Sequence, residues 1–214
     1  MITAEELHAS LSSVSIGAST CNFSLEKCQE LTPTINAINQ LKKEKNAIIL
    51  AHSYVSPEIL TGVADVVGDS FELSKKAQHA NCDIIIFAAV KFMAETAKIL
   101  NPSKQVFVPS EVNGCSLSDS ITANQVRTLK KQFPDFAFVC YINTSAEVKA
   151  ECDVCVTSSN VYKIVESFPS KNIYFLPDKL MGMNVERYLK ENNINKNFKY
   201  YSGKCYVHDE YDPD

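Results

Sequence analysis

Two of the eight cysteines stand apart from the rest. Cys115, in Asn113-Gly114-Cys115, and Cys205, in Gly203-Lys204-Cys205, each lie in a loop beside glycine, where burial as a small hydrophobe does not account for a thiol. Thiolate ligation of a metal ion or cluster is the chemistry such residues offer. The 90 residues from 115 to 205 are too many for a local zinc or ferredoxin pattern, so spacing alone assigns no metal, and two thiolates fall short of the usual cluster set. Cys82, Cys140, Cys152 and Cys155 lie in or beside apolar β-type runs and read as packed hydrophobes. Cys152-Asp-Val-Cys155 is formally CxxC, but residues three apart in an extended strand point to opposite faces, which argues against a metal site.

A second set of candidates follows apolar runs. His52, Ser53 and Tyr54 follow one run, Tyr141, Ile142 and Asn143 another, and Thr157, Ser158, Ser159 and Asn160 a third. In open parallel sheets ligands bind beyond the carboxyl ends of strands, so these are the positions where contacts and proton transfer belong. Asp69-Ser70, Thr144-Ser145 and Ser158-Ser159 each precede a helical pattern, and orphan N–H groups at helix starts attract phosphates and carboxylates. At any single position ordinary capping is the simpler account; Thr144-Ser-Ala-Glu147 reads as a capping box. Three such positions at one crevice edge favour a small polyanionic ligand. A histidine after a strand is more often packed than catalytic, though Tyr54, two residues on, would share its side of an extended strand. No glycine-rich phosphate loop of either familiar pattern occurs.

Elements able to position these residues recur along the chain. β-rich runs at 47–52, 83–89, 105–109, 136–142, 153–158, 172–177 and 198–202 alternate with helical patterns such as ELSKKAQHA, FMAETAKIL and VYKIVESF. Continuous apolar strands joined by helices predict parallel sheets covered on both faces. Segments 83–109 and 153–177 echo each other as strand, helix, Pro-Ser-Lys turn and strand, implying two similar α/β units. The expected organisation is a helical segment at 1–45 broken at Leu31-Thr32-Pro33, a first α/β domain at 46–121 and a second at 122–214.

With 214 residues, 45% of them hydrophobic, the chain can bury real cores. A net charge of −4 from 21 basic and 25 acidic residues, with no basic block, points away from nucleic acid and anionic membranes. No apolar run approaches the roughly 20 residues of a membrane span, and the N-terminus lacks a secretory pattern. A cytoplasmic protein acting on small molecules is expected, with its cysteines as thiols or metal ligands rather than disulfides.

AHSYVSPEI, VADVVGDSFELSKKA, FMAETAKILNP, GCSLSDS, YINTSAEVKAECDVCVTSSN, IYFLPDKLMG and GKCYVHDEY, across residues 47–211, resemble successive motifs of the quinolinate synthase family, in family order. The resemblance implies a pseudo-threefold fold of three α/β sandwich domains, each giving one cysteine to a 4Fe-4S cluster with one iron free of protein ligand. It implies a transferase and dehydratase of NAD biosynthesis, condensing iminoaspartate, supplied by L-aspartate oxidase, with dihydroxyacetone phosphate to give quinolinate, phosphate and water. Carried over by position, His52, Ser70, Tyr141, Asn143 and Ser158 match the residues that hold the iminoaspartate carboxylates. Ile142 and Ser159, beside them, are grouped with these contacts. Tyr54 matches the proton-transferring tyrosine, and Cys115 and Cys205 match the first two cluster ligands. Lys91 stands where the family often has histidine. The sequence stops at Asp212-Pro213-Asp214, so the third domain and its cysteine are expected to be missing from these residues and the isolated chain to be inactive, unless a separate chain supplies them. The alternative is a non-catalytic α/β module that binds a phosphorylated or dicarboxylate metabolite.

Overall fold

A computed structural model describes residues 1–16 and 19–210. The closing Asp212-Pro213-Asp214 and the last residue of the matched motifs, Tyr211, lie outside the described residues. The chain divides into two compact units, Met1–Glu111 and Val112–Asp214. The sequence seam at 120–122 therefore falls inside the second unit, and the loop carrying Cys115 packs with that unit.

The first unit opens with α1 (Ala4–Leu11), capped by a Thr3/Glu6 capping box. Two short antiparallel strands follow, β1 (Val14–Ile16) and β2 (Ser19–Cys21), then α2 (Leu25–Glu44). The break expected at Leu31-Thr32-Pro33 does not occur, because α2 runs through Pro33. Proline leaves the carbonyl four residues back without an N–H partner, but that residue, Gln29, is exposed and its carbonyl can turn to water. Packing of Cys28 and Ile35 against Leu7 and Leu11 of α1 holds the helix on either side.

The sheet of this unit is built from β3 (Ala47–His52), β4 (Val66–Gly68), β5 (Ile84–Ala88) and β6 (Gln105–Phe107), all parallel in the order β4-β3-β5-β6. α3 (Pro57–Gly62) connects β3 to β4, α4 (Ser70–His79) connects β4 to β5, and α5 (Lys91–Leu100) connects β5 to β6. One face buries Ile49 and Ala51 against α1, α2 and α3, and alternation sends Leu50 and Phe87, both fully buried, to the face of the α4 and α5 pair.

In the second unit a 3-10 turn (Ser118–Ser120) leads into α6 (Ala123–Gln132), β7 (Ala137–Tyr141), α7 (Ala146–Ala150) and β8 (Val154–Val156). α8 (Val161–Ser167), β9 (Asn172–Leu176), α9 (Lys179–Glu191), β10 (Asn197–Tyr200) and α10 (Tyr206–Asp209) complete it. Its sheet is again parallel, in the order β10-β9-β7-β8. Val139 and Phe175 pack under α8 and α9, whereas Phe138, Cys140 and Tyr174 pack under α6 and α7. Numbered within each unit, both sheets read 2-1-3-4, so the expected repeat of parallel α/β sandwiches is present.

The phase of that repeat differs from the sequence echo. Segment 83–109 is the third strand, helix and fourth strand of its unit, while 153–177 is the second strand, helix and third strand of the other. Any strand-helix-strand crossover resembles the next in sequence, and only sheet order fixes which is which. The slip arose at two unrecognised elements: β4, a three-residue edge strand between Asp65 and Asp69, and α9.

Hydrogen bonds fix the true register. Asp65 accepts from the Ile49 N–H at 2.7 Å, and Asp153 accepts from the Phe138 N–H at 2.7 Å. Ser53 N–H donates to the Gly68 carbonyl as Ile142 N–H does to Val156. Lys104, just before β6, donates to the carbonyls of Ala77 and Ala80 at the end of α4, and Lys196, just before β10, donates to those of Phe168 and Ser170 after α8. Each lysine thus ties the start of its unit's fourth strand to the end of the helix that follows the second.

Candidate functional site

On that register His52 is equivalent to Tyr141, and Ser70 to Ser158. Both pairs therefore sit at the carboxyl ends of the first and second strands, beside the point where the 2-1-3-4 order reverses direction, which is where open parallel sheets bind ligands. The phase slip hid this equivalence in the sequence.

In the first unit the rings of His52 and Tyr54 lie 4.1 Å apart at 34°. His52 Nδ1 accepts from the Tyr54 N–H at 3.4 Å, which leaves Nε2 to carry the proton of the neutral ring. Burial pushes the imidazole below its ordinary value, and the Asp69 carboxylate opposes that shift. Near neutral pH His52 is thus an uncharged donor. The Tyr54 hydroxyl reaches across to β5 and α5, accepting from the Val90 N–H at 3.3 Å and donating to Met93 Sδ at 3.9 Å. The ring itself stays 55% exposed, so its hydroxyl is fixed by protein while one face remains open. Asp69 is the N-cap of α4, accepting from Glu72 N–H at 3.0 Å, and Ser70 opens that helix.

The second unit gathers more groups. Burial raises the Tyr141 phenol above its ordinary value; Asp178 raises it further, a hydrogen bond from Ser158 opposes the shift, and the thiols of Cys115 and Cys205 add to it. One phenol is therefore within electrostatic reach of a buried carboxylate and of both loop cysteines. The two cysteine loops are locked together. A Cβ on Gly203 would lie 2.5 Å from the Pro177 carbonyl and 2.6 Å from Ser120 Oγ, so only glycine lets the Cys205 loop approach the turn that follows Cys115. Tyr201 donates from its hydroxyl to the Ser120 carbonyl at 3.4 Å, and Lys179 N–H donates to the Gly203 carbonyl at 2.9 Å. On the other loop the Asp119 N–H donates to the Cys115 carbonyl at 2.9 Å, and a Cβ on Gly114 would meet Asp119 Oδ2 at 2.9 Å.

Asp178, 2% exposed, went unnoticed in the sequence although it stands in IYFLPDKLMG. It caps α9, accepting from the Met181 N–H at 3.1 Å, and pairs with Gly203 in an isolated parallel bridge. An acidic residue directly after a strand-ending proline and before a helical pattern was the available signal.

The remaining candidates divide by placement. Ile142 is buried, gives its N–H to Val156 and takes the Lys149 ammonium on its carbonyl at 2.9 Å. Asn143 is half-buried two residues beyond Tyr141, and Ser159 is exposed with its hydroxyl 2.9 Å from Thr157 Oγ1. The predicted Thr144/Glu147 capping box is replaced by a cap at Ser145, which accepts from Val148 N–H at 3.3 Å. Thr144 turns its hydroxyl back to the Tyr141 carbonyl at 3.0 Å. At α8 the N-cap position is Asn160, which makes no side-chain cap hydrogen bond; its Oδ1 instead accepts from the Thr157 N–H at 2.7 Å. Ser158 therefore caps no helix and hydrogen-bonds Tyr141. Lys91 opens α5 on the surface, 4.0 Å from Glu95.

Residues 36–214 match the family model described as quinolinate synthetase A protein. The chain belongs to that family. It is 49% identical over 179 residues to a quinolinate synthase of Sinorhizobium medicae, covering 84% of this chain and 48% of the relative. The corresponding figures for a quinolinate synthase of Aquifex aeolicus are 48% over 183 residues, 86% and 55%, and for quinolinate synthase 2 of Mesorhizobium japonicum 44% over 200, 89% and 60%. The chain thus spans about half the length of the relatives it matches. Among the described residues no group of three or more histidine, cysteine, aspartate or glutamate side chains is placed to hold a metal ion, and no helix is long and apolar enough to cross a membrane. Cys115 and Cys205, the two cysteines that the resemblance assigns to an iron-sulfur cluster, lie on adjoining loops of the second unit within electrostatic reach of Tyr141; the described residues bring no third ligand side chain to them.

Proposed function

We propose that these residues form the first two α/β units of a quinolinate synthase, a cytoplasmic enzyme condensing iminoaspartate with dihydroxyacetone phosphate into quinolinate, phosphate and water. L-Aspartate oxidase is the proposed supplier of iminoaspartate. The observation that carries this reading is the convergence of Cys115, Cys205, Tyr141, Ser158 and Asp178 at the carboxyl end of one parallel sheet. Family membership supplies the reaction, and the sheet end supplies groups suited to its anionic substrates.

Cys115 and Cys205 would hold two corners of a 4Fe-4S cluster, with the third ligand supplied from outside the described residues, by further chain or by a separate polypeptide. Such a cluster, with an iron free of protein ligand, supplies a Lewis acid that polarises substrate oxygens. In the first unit His52, neutral and donating from Nε2, and Ser70 offer donors to a substrate carboxylate. In the second unit Tyr141, kept protonated by burial and Asp178, offers its hydroxyl to a substrate carboxylate with Ser158 and Asn143. Ile142 fixes the backbone between them, and Ser159 lines the same edge. Tyr54, held by Val90 and Met93, moves the proton during ring closure; because its hydroxyl is already anchored, little reorganisation precedes the transfer.

The test is quinolinate formation from iminoaspartate and dihydroxyacetone phosphate after anaerobic reconstitution, by the chain alone and by the chain mixed with the carboxyl-terminal part of a related quinolinate synthase. Product is expected only from the mixture. Turnover by the chain alone would show that two thiols suffice, and an inactive mixture that still binds iron would remove the proposed reaction.

A further inference from the structure

Three further thiols cluster outside the site. Cys140 in β7 and Cys155 in β8 are direct register partners of two adjacent parallel strands. Cys140 is fully buried in the core beneath α6 and α7, Cys152 packs against that core from the bend before β8, and Cys155 is exposed. Because Cys152 precedes the strand, the opposite-face argument for CxxC does not hold, and both Cys152 and Cys155 approach Cys140 within side-chain hydrogen-bonding reach. The register equivalence shows that packing does not require sulfur at any of the three positions. Ala51, Ala64 and Val67 occupy the places of Cys140, Cys152 and Cys155 in the first unit.

We propose that Cys140 and Cys155 form a thiol-disulfide modification site, oxidised by a low-molecular-weight disulfide such as glutathione disulfide to a link across β7 and β8. Neighbouring strands lie about 4.7–4.9 Å apart, inside the roughly 4.4–6.8 Å Cα separation that a disulfide spans. The exposed Cys155 thiolate attacks one glutathione sulfur, forming a mixed disulfide and releasing one reduced glutathione, which takes up the Cys155 proton. The Cys140 thiolate then attacks Cys155 Sγ, forming the internal S–S bond and releasing the second reduced glutathione with the Cys140 proton. Two thiols are oxidised and one disulfide is reduced. Hydrogen bonding to Cys140 and burial push the Cys155 thiol well above its ordinary range, so the first step accelerates as pH rises, while the Lys149 ammonium, anchored on the Ile142 and Thr144 carbonyls, opposes the upward shift at both thiols. Hydrogen bonding to Cys152 and burial push the Cys140 thiol up to about 12, so the second step accelerates as pH rises. The link would join β7, which ends at Tyr141, to β8, which ends two residues before Ser158, at a site unrelated to the proposed cluster cysteines.

The anaerobically reduced chain is titrated with glutathione disulfide, followed by thiol counting and peptide mass mapping. Loss of two thiols together, with a single Cys140–Cys155 cross-linked peptide, is expected. Cys140→Ala, which installs the residue of the first unit, should instead trap glutathione on Cys155, and Cys155→Ser should leave Cys140 reduced. A stable mixed disulfide on Cys155 in the unmodified chain, or a cross-link from either residue to Cys152, would overturn the proposal.

Discussion

At the residue scale the decisive group is Tyr141, whose surroundings are set by Asp178. Replacing Asp178 with asparagine keeps a helix-capping oxygen but removes the charge, so the Tyr141 phenol should titrate lower than in the unmodified chain. Difference absorbance of tyrosinate against a Tyr141→Phe background measures this directly, and an unchanged titration would place the carboxylate out of reach. Asp178→Ala should also lose the α9 cap, costing about 1 kcal/mol in denaturant unfolding. His52 gives a second prediction. Its folded value lies below the ordinary one, so below about pH 6.5 the unfolded chain binds the extra proton first and stability falls with pH until the folded imidazole also titrates. His52→Gln should flatten that fall, seen as a smaller loss of unfolding midpoint between about pH 7 and about pH 5. His52, Tyr54, Tyr141 and Ser158 were legible in sequence because polar residues after apolar runs mark strand ends. Asp178 was not, because one acidic residue after proline carries no periodic signal, and its role depends on Gly203 approaching from 25 residues away.

At the element scale the two cysteine loops depend on close approach rather than on their own conformation. Gly203→Ala would drive a Cβ into a backbone carbonyl and Ser120 Oγ; overpacking of this kind costs about 1–3 kcal/mol. The expected outcome is a lower thermal midpoint together with weaker iron retention than in a Gly68→Ala control, whose Cβ would find ordinary contacts of 3.6 Å. Equal iron retention in the two variants would contradict the clamp. Strand positions were readable from apolar runs, and 47–52 coincides with β3 in full. β4 was unreadable because three residues at a sheet edge, alternately half-buried and exposed, show no apolar run. Missing β4 and α9 moved the repeat by one crossover. Its phase becomes visible only through tertiary hydrogen bonds, namely the carboxylates of Asp65 and Asp153 and the lysines at 104 and 196.

At the scale of the whole molecule, the two units share one topology but differ in finish. In the second, Phe133, Phe138 and Tyr174 stack beneath α6; in the first, the smaller Ile49 and Ile86 stand at the equivalents of Phe138 and Tyr174 and border an apolar groove of about 510 Å³. That groove contains none of the candidate site residues. The central claim is that Cys115 and Cys205 hold one cluster jointly beside Tyr141. Its most direct measurement is iron and sulfide content per chain, with Mössbauer spectra, after anaerobic reconstitution of the unmodified chain, Cys115→Ser, Cys205→Ser and Cys155→Ser. The account predicts weakly held cluster iron that is abolished equally by either of the first two substitutions and untouched by the third; iron retained in full without Cys115 or without Cys205 would contradict it.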